Sequence, residues 1–187
     1  MNMRLIIMLL LGSLLTSCVA VVVAGAAGGM VVYDRRSITM IEKDARIFHV
    51  IHTKIVRDSR FRDSRIVVSS FDQVVLLLGQ TSAASLRVLA EKIAQETPKV
   101  RRVYNEITVG PSLSVVQQSK DTLITSKVRS RMLTQKDLES GSIHVITEHG
   151  VVYLMGIATP EQANLAVNAA RQIEGVRKVV KIFQYIR

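Results

Sequence analysis

The chain has 187 residues, with 25 Lys and Arg against 15 Asp and Glu, for a formal net charge of +10 at pH 7; that length suits one ordinary domain or two very small ones. Hydrophobic residues make up 48% but aromatics only 4%, with no Trp, so disorder is excluded and any core is built from Val, Ile, Leu and Ala. A single cysteine excludes an internal disulfide and a clustered thiolate metal site.

At the N-terminus, Arg4 precedes an apolar run from Leu5 to Leu15, broken by Gly12 and Ser13, and Leu15-Thr16-Ser17-Cys18 follows. This is the layout of a secretory signal peptide over residues 1–17. The tetrapeptide resembles the lipobox of bacterial lipoproteins, which implies a mature chain beginning at a lipid-modified Cys18. Two other readings compete: a buried Cys18 acting as a small hydrophobe, and an uncut membrane anchor, because Val19 to Tyr33 is also apolar. Gly25, Gly28 and Gly29 give a helix there little support. Residues 18–42 are therefore read as an Ala/Val/Gly-rich tether. Val19, rather than Asp, after the cysteine implies, by resemblance to enterobacterial sorting rules, export to the outer membrane.

The remainder is a tandem repeat. An offset of 77 pairs Asp44 with Asp121, Ile47 with Ile124, Ile66 with Ile143, Val68 with Val145, Leu77 with Leu154 and Gly79 with Gly156. The offset then drops to 76, pairing Val100 with Val176 and Val103 with Val179. Two copies of one unit are expected, at 43–110 and 119–187, joined by a linker at 111–118 that opens on Gly110-Pro111-Ser112.

Within each copy, Ile47, Ile51 and Ile55, then Ile124, Val128 and Met132, recur every four residues and predict a first amphipathic helix. Asp44 and Asp121 are expected near its start, where a carboxylate suits the helix dipole. Ile66 to Val68 and Val74 to Leu78 predict a hairpin around Phe71-Asp72-Gln73, as Ile143 to Thr147 and Val151 to Met155 do around His149-Gly150. Gly79 and Gly156 are expected to release the chain from the sheet. A second helix is expected from near Ser82 and from Thr159, where Thr159-Pro160-Glu161-Gln162 supplies a cap, a proline at the first helical position and Gln three residues on. Val100 to Val109 and Val176 to Ile186 predict a third strand. The fold class is α+β: two tandem αββαβ sandwiches, each small enough that docking of the pair is expected.

Val103-Tyr104-Asn105-Glu106-Ile107, Asp121-Thr122 with Ile124-Thr125, Lys127-Val128-Arg129-Ser130 and Leu154-Met155-Gly156, behind a lipobox and tether, resemble the dual BON-domain outer-membrane lipoproteins of the DolP (YraP) type, to which OsmY is related. The resemblance spans essentially the whole chain. It implies a non-enzymatic protein, lipid-anchored to the outer membrane and facing the periplasm, that binds anionic phospholipid such as phosphatidylglycerol or cardiolipin through the first helix of its second BON domain. It further implies a role in envelope integrity and enrichment at division sites. The family often carries an aromatic residue where this chain has Leu123, which lacks a ring suited to the membrane interface.

The residues bear on this independently. At 100° per residue, Lys120, Lys127 and Arg131 lie within about 40° of one another beside the buried stripe, and Leu123 falls about 100° from Ile124. An exposed Leu bordered by Lys and Arg suits an anionic membrane surface; the competing reading is an ordinary solvated face with one stray Leu. The first copy has Arg46 and Val50 at the positions of Leu123 and Lys127, and only Lys54 matches Arg131. Its charge sits instead in Arg57, Arg60, Arg62 and Arg65 with Asp58 and Asp63, read as a structural or protein-binding loop.

Catalysis finds little support. His49 and His52 lack further ligands nearby for a metal, His149 reads as a turn residue, and no nucleophile elbow or phosphate loop is present; no cofactor is implied. A pI near 10.2 fits nucleic-acid binding, but Phe48, Phe61, Phe71 and Tyr104 form no stacking pattern and export removes that partner. The rival to lipid binding is a periplasmic scaffold for an outer-membrane assembly factor.

Overall fold

A computed structural model describes residues 36–186, so the signal segment, Cys18 and most of the tether lie outside the described residues. In chain order the elements are α1 (Ile38–Arg57), β1 (Arg65–Phe71), β2 (Val74–Thr81), α2 (Ala84–Gln95), β3 (Arg102–Asn105) and β4 (Thr108–Val109), then α3 (Val115–Leu133), β5 (Ile143–Glu148), β6 (Val151–Ala158), α4 (Pro160–Arg171) and β7 (Lys178–Tyr185). The αββαβ order appears twice.

Side-chain caps set where the first helices begin. Ser37 Oγ accepts from Met40 N–H and Ser114 Oγ from Gln117 N–H, both at 3.2 Å. Each helix therefore opens ahead of its hydrophobic stripe, α1 inside the stretch read as tether and α3 inside the stretch read as linker. At α4, Thr159 Oγ1 accepts from Gln162 N–H at 3.3 Å, and Pro160 follows the cap as expected. The Gln162 side chain is used elsewhere: it donates to Asp137 O and accepts from Glu139 N–H, holding the preceding loop.

The two aspartates are placed differently from the dipole expectation. They lie past the first turn and are buried, Asp44 and Asp121 each at 4% exposure. A carboxylate there is stable only if its oxygens are filled. Asp44 accepts from the N–H groups of Asp72 and Gln73 at 2.8 Å each, from Ser70 Oγ and from Arg36. Asp121 accepts from His149 N–H at 2.7 Å, Gly150 N–H at 2.9 Å and Gln117 Nε2. Each helix thus grips the tip of the hairpin that follows it. The tips need the grip: Asp72, Gln73 and His149 hold φ of 49°, 62° and 50°, left-handed values that favour glycine, and Gly150 holds 72°.

Gly79 and Gly156 also correct the reading, since they lie inside β2 and β6 rather than at an exit. A Cβ would meet Arg65 O at 1.9 Å in the first case and Ser142 O at 2.4 Å in the second. They are glycines because backbone at, or immediately before, the start of the neighbouring strand fills the space of a side chain.

In each sheet the second strand is central. β2 pairs antiparallel with β1 and parallel with β3 and β4; β6 pairs antiparallel with β5 and parallel with β7. The expected third strand of the first copy is broken between Asn105 and Thr108, where Asn105 Oδ1 accepts from Ile107 N–H at 3.2 Å and Ile107 is buried in the core.

Three apolar clusters define four layers. Ile47, Ile51 and Ile55 pack with Val75, Leu77, Ala90 and Ala94 between the first helix pair and its sheet, and Ile124, Val128 and Met132 pack with Val152, Leu154, Ala166 and Ala170 in the second. The third cluster, Phe71, Leu76, Leu78, Tyr153, Met155 and Ile182, joins residues from both sheets. The sheets are back to back with the helices outside. Burying side chains of this size contributes about 1.5–3 kcal/mol each, so the docking is an apolar one. Polar ties cross it as well: Arg65 Nη1 and Gln80 Nε2 both donate to Glu148 Oε1, and Gln80 Oε1 accepts from Leu113 N–H of the connecting segment.

Candidate membrane-facing surface

The stripe that buries Ile124, Val128 and Met132 leaves the flank of α3 beside it to solvent. Lys120, Leu123, Lys127 and Arg131 are all exposed there, and Leu123 is 55% exposed. Val116, 65% exposed, stands seven residues before Leu123 and so close to it in azimuth. The sequence reading missed it because residues 111–118 were assigned to a linker; the signal that finds it is the seven-residue spacing combined with Ser114 as a cap.

The electrostatics of this face are one-sided. Asp121, the acid of α3, is buried and occupied by the hairpin tip. Lys120 and Lys127 form no ion pair among the described residues, whereas Arg131 Nη2 donates to Gln172 Oε1 at 2.9 Å, which holds it toward the end of α4. Arg129 donates to Val145 O at 3.0 Å and serves the fold. Thr122 and Ser126 return their hydroxyls to the helix backbone, to Gln118 O and Thr122 O.

The first unit has a different exterior. Arg46 and Lys54 are exposed and Val50 is half-buried, while Ile38, Ile41, Phe48 and Val56 are exposed on α1. Phe48 stacks on His52 at 5.3 Å between centroids. In the loop after α1, Phe61 is buried and Arg60 pairs with Asp58, holding the Asp58 carboxyl below its ordinary range by hydrogen bonding. Arg65 turns across to Glu148, so part of this charge serves the docking of the two units. His144 stacks on Phe71 at 6.4 Å, and His149 sits in its turn.

Among the described residues no group of three or more His, Cys, Asp or Glu could hold a metal ion, and no helix is long and apolar enough to cross a membrane.

This duplicated fold is matched by known proteins. The chain belongs to the BON domain family, which it matches at residues 43–111 and 120–187. It is 34% identical over 174 residues to the outer membrane lipoprotein DolP of Haemophilus influenzae, a match covering 92% of this chain and 90% of that protein. It is also similar to the 21 kDa hemolysin of Actinobacillus pleuropneumoniae, 35% identical over 132 residues, covering 70% of this chain and 68% of the relative. A more distant relative is the osmotically-inducible protein Y of Escherichia coli, 26% identical over 139 residues, covering 73% and 69% of the two chains. The organisation is thus that of a dual BON-domain protein of the DolP type.

Proposed function

We propose that this chain is a non-enzymatic outer-membrane lipoprotein, anchored through Cys18 and facing the periplasm, that binds anionic phospholipid through α3 and supports envelope integrity at division sites. The observation that carries the lipid reading is an exposed Leu123 set among Lys120, Lys127 and Arg131 with no exposed acid on the helix. An apolar residue that inserts and cations that meet headgroup phosphates add their contributions at one interface. The similarity to an outer membrane lipoprotein over 92% of the chain supports the location. Tethering strengthens the effect, because a site held near the leaflet by an acyl anchor binds intramolecularly.

The test is sedimentation with vesicles of a chain lacking Cys18 and its acyl groups. The wild-type sequence is expected to pellet with phosphatidylglycerol vesicles and to release as salt rises, and Leu123→Glu with Lys127→Glu to stay in solution while keeping its circular dichroism. Equal pelleting of the double variant, or equal binding to neutral vesicles, replaces this reading with a periplasmic scaffold for an outer-membrane assembly factor.

A further inference from the structure

The second unit carries a second basic feature besides the exposed face of α3. Between α4 and the edge strand β7 runs a groove of about 470 Å³, lined by Val167 and Arg171 from α4 and by Arg177, Lys178, Val179 and Lys181 along the returning chain. It has cations and an apolar floor and no acidic lining residue. Arg177 is pinned, its N–H donating to Gly150 O at 2.8 Å and its guanidinium to His149 O. Arg171, Lys178 and Lys181 form no ion pair among the described residues. Cations grouped in one groove repel one another, and an anion between them removes that cost.

The repeat supplies an internal control. At the offset of 76, Val167, Arg171 and Lys181 correspond to Glu91, Gln95 and Asn105. In the first unit those side chains close on each other: Asn105 Nδ2 donates to Glu91 Oε2 at 3.0 Å and Gln95 Nε2 to Glu91 Oε1 at 3.1 Å. One backbone plan therefore carries a self-satisfied polar lock in one copy, and in the other a groove stripped of its acid and given two cations. The fold does not require the basic version, because the first unit folds with the lock.

We propose that this α4–β7 groove is a binding site for a phosphate-ester anion carrying an apolar neighbour, with Arg171 and Lys181 meeting the phosphate and Val167 and Val179, on the same helix-facing side as Lys181, the remainder. The site does not rest on the α3 surface, although Gln172, next to Arg171, accepts from Arg131 and places the two beside each other.

The experiment uses the full acylated chain in neutral detergent with labelled valine methyls. It is titrated with dihexanoyl phosphatidylglycerol, dihexanoyl phosphatidylcholine or glycerol 3-phosphate. Phosphatidylglycerol is expected to shift Val167 and Val179, and phosphatidylcholine to leave them unmoved. If glycerol 3-phosphate matches phosphatidylglycerol, the site stands and its source is a free phosphate ester; if it binds far more weakly, the source is lipid. Installing the first unit's lining through V167E, R171Q and K181N is expected to abolish the shifts. The milder pair R171Q and K181N, both at exposed positions, should weaken binding roughly thirtyfold, about a factor of five for each lost cation. Leu123→Glu with Lys127→Glu should leave the groove's response intact, which separates failure of this site from failure of the α3 reading. Unmoved valine methyls, equal response to phosphatidylcholine, or wild-type affinity in the R171Q and K181N variant overturns the proposal.

Discussion

Arg65 and Glu148 are 83 residues apart in the chain and 2.7 Å apart in the fold. Glu148 is buried, and the same carboxylate oxygen also accepts from Gln80. Removing Arg65 leaves a buried charge with a single neutral donor, so Arg65→Ala is expected to cost about 3 kcal/mol, read as a lower urea midpoint. Arg60→Ala, which breaks the exposed pair with Asp58, should leave the midpoint where it is.

The aspartates that hold the hairpin tips give a second expectation. Asp121→Ala orphans two backbone donors at the His149-Gly150 turn and should cost about 2 kcal/mol. Asp44→Ala should cost more, because Ser70 and Arg36 lose a partner as well and the non-glycine Asp72 and Gln73 lose what holds their left-handed backbone. Amide exchange at Gly150 should accelerate in the first variant and at Gln73 in the second.

Gly79→Ala is expected to be among the worst single-methyl additions in the protein. Its Cβ would sit 1.9 Å from Arg65 O at a φ of 111°, so the β1–β2 pairing must open, and a loss of several kcal/mol follows. Thermal unfolding checks it against Gly110→Ala, where a φ of 156° costs backbone strain but the Cβ meets nothing within 4 Å, so the smaller loss is expected there.

Tyr153 is the source of an alkaline limit. Burial between the sheets, then the nearby charges of Glu106 and Glu148, push its phenol from 10.0 up to about 12. The unfolded chain loses this proton first, so the contribution to stability is whole below about pH 10 and is lost progressively as pH climbs toward about 12. Tyr153→Phe should remove this component of the alkaline fall, measured by denaturation across that window, and the wild-type phenolate absorbance should appear late.

Much of this architecture was legible because duplication lets one copy check the other. Ile47, Ile51 and Ile55 against Ile124, Val128 and Met132 give the first helices, and the exposed Leu123 with its basic neighbours follows from the same periodicity. Three things were not legible. The Asp44 and Asp121 bonds join a helix to a turn nearly thirty residues on, a tertiary relation that propensity does not carry. The glycine roles depend on the partner strand's closeness rather than on the local chain. Val116 was hidden by a linker boundary that Ser114 overrides. The docked sheets did leave a trace in the unbroken run Val74 to Leu78, since a strand covered on one face alternates and a strand covered on both does not.

The back-to-back stacking has a geometric corollary. A flat target can press against one helix layer of this molecule, and whatever touches α3 leaves α1 on the far side. Two copies of one fold stacked this way cannot share a single planar surface, however alike their sequences. The Val50 that stands where Lys127 does, and the Glu91 lock that stands where the basic groove does, are thus differences between outer layers that no single plane touches.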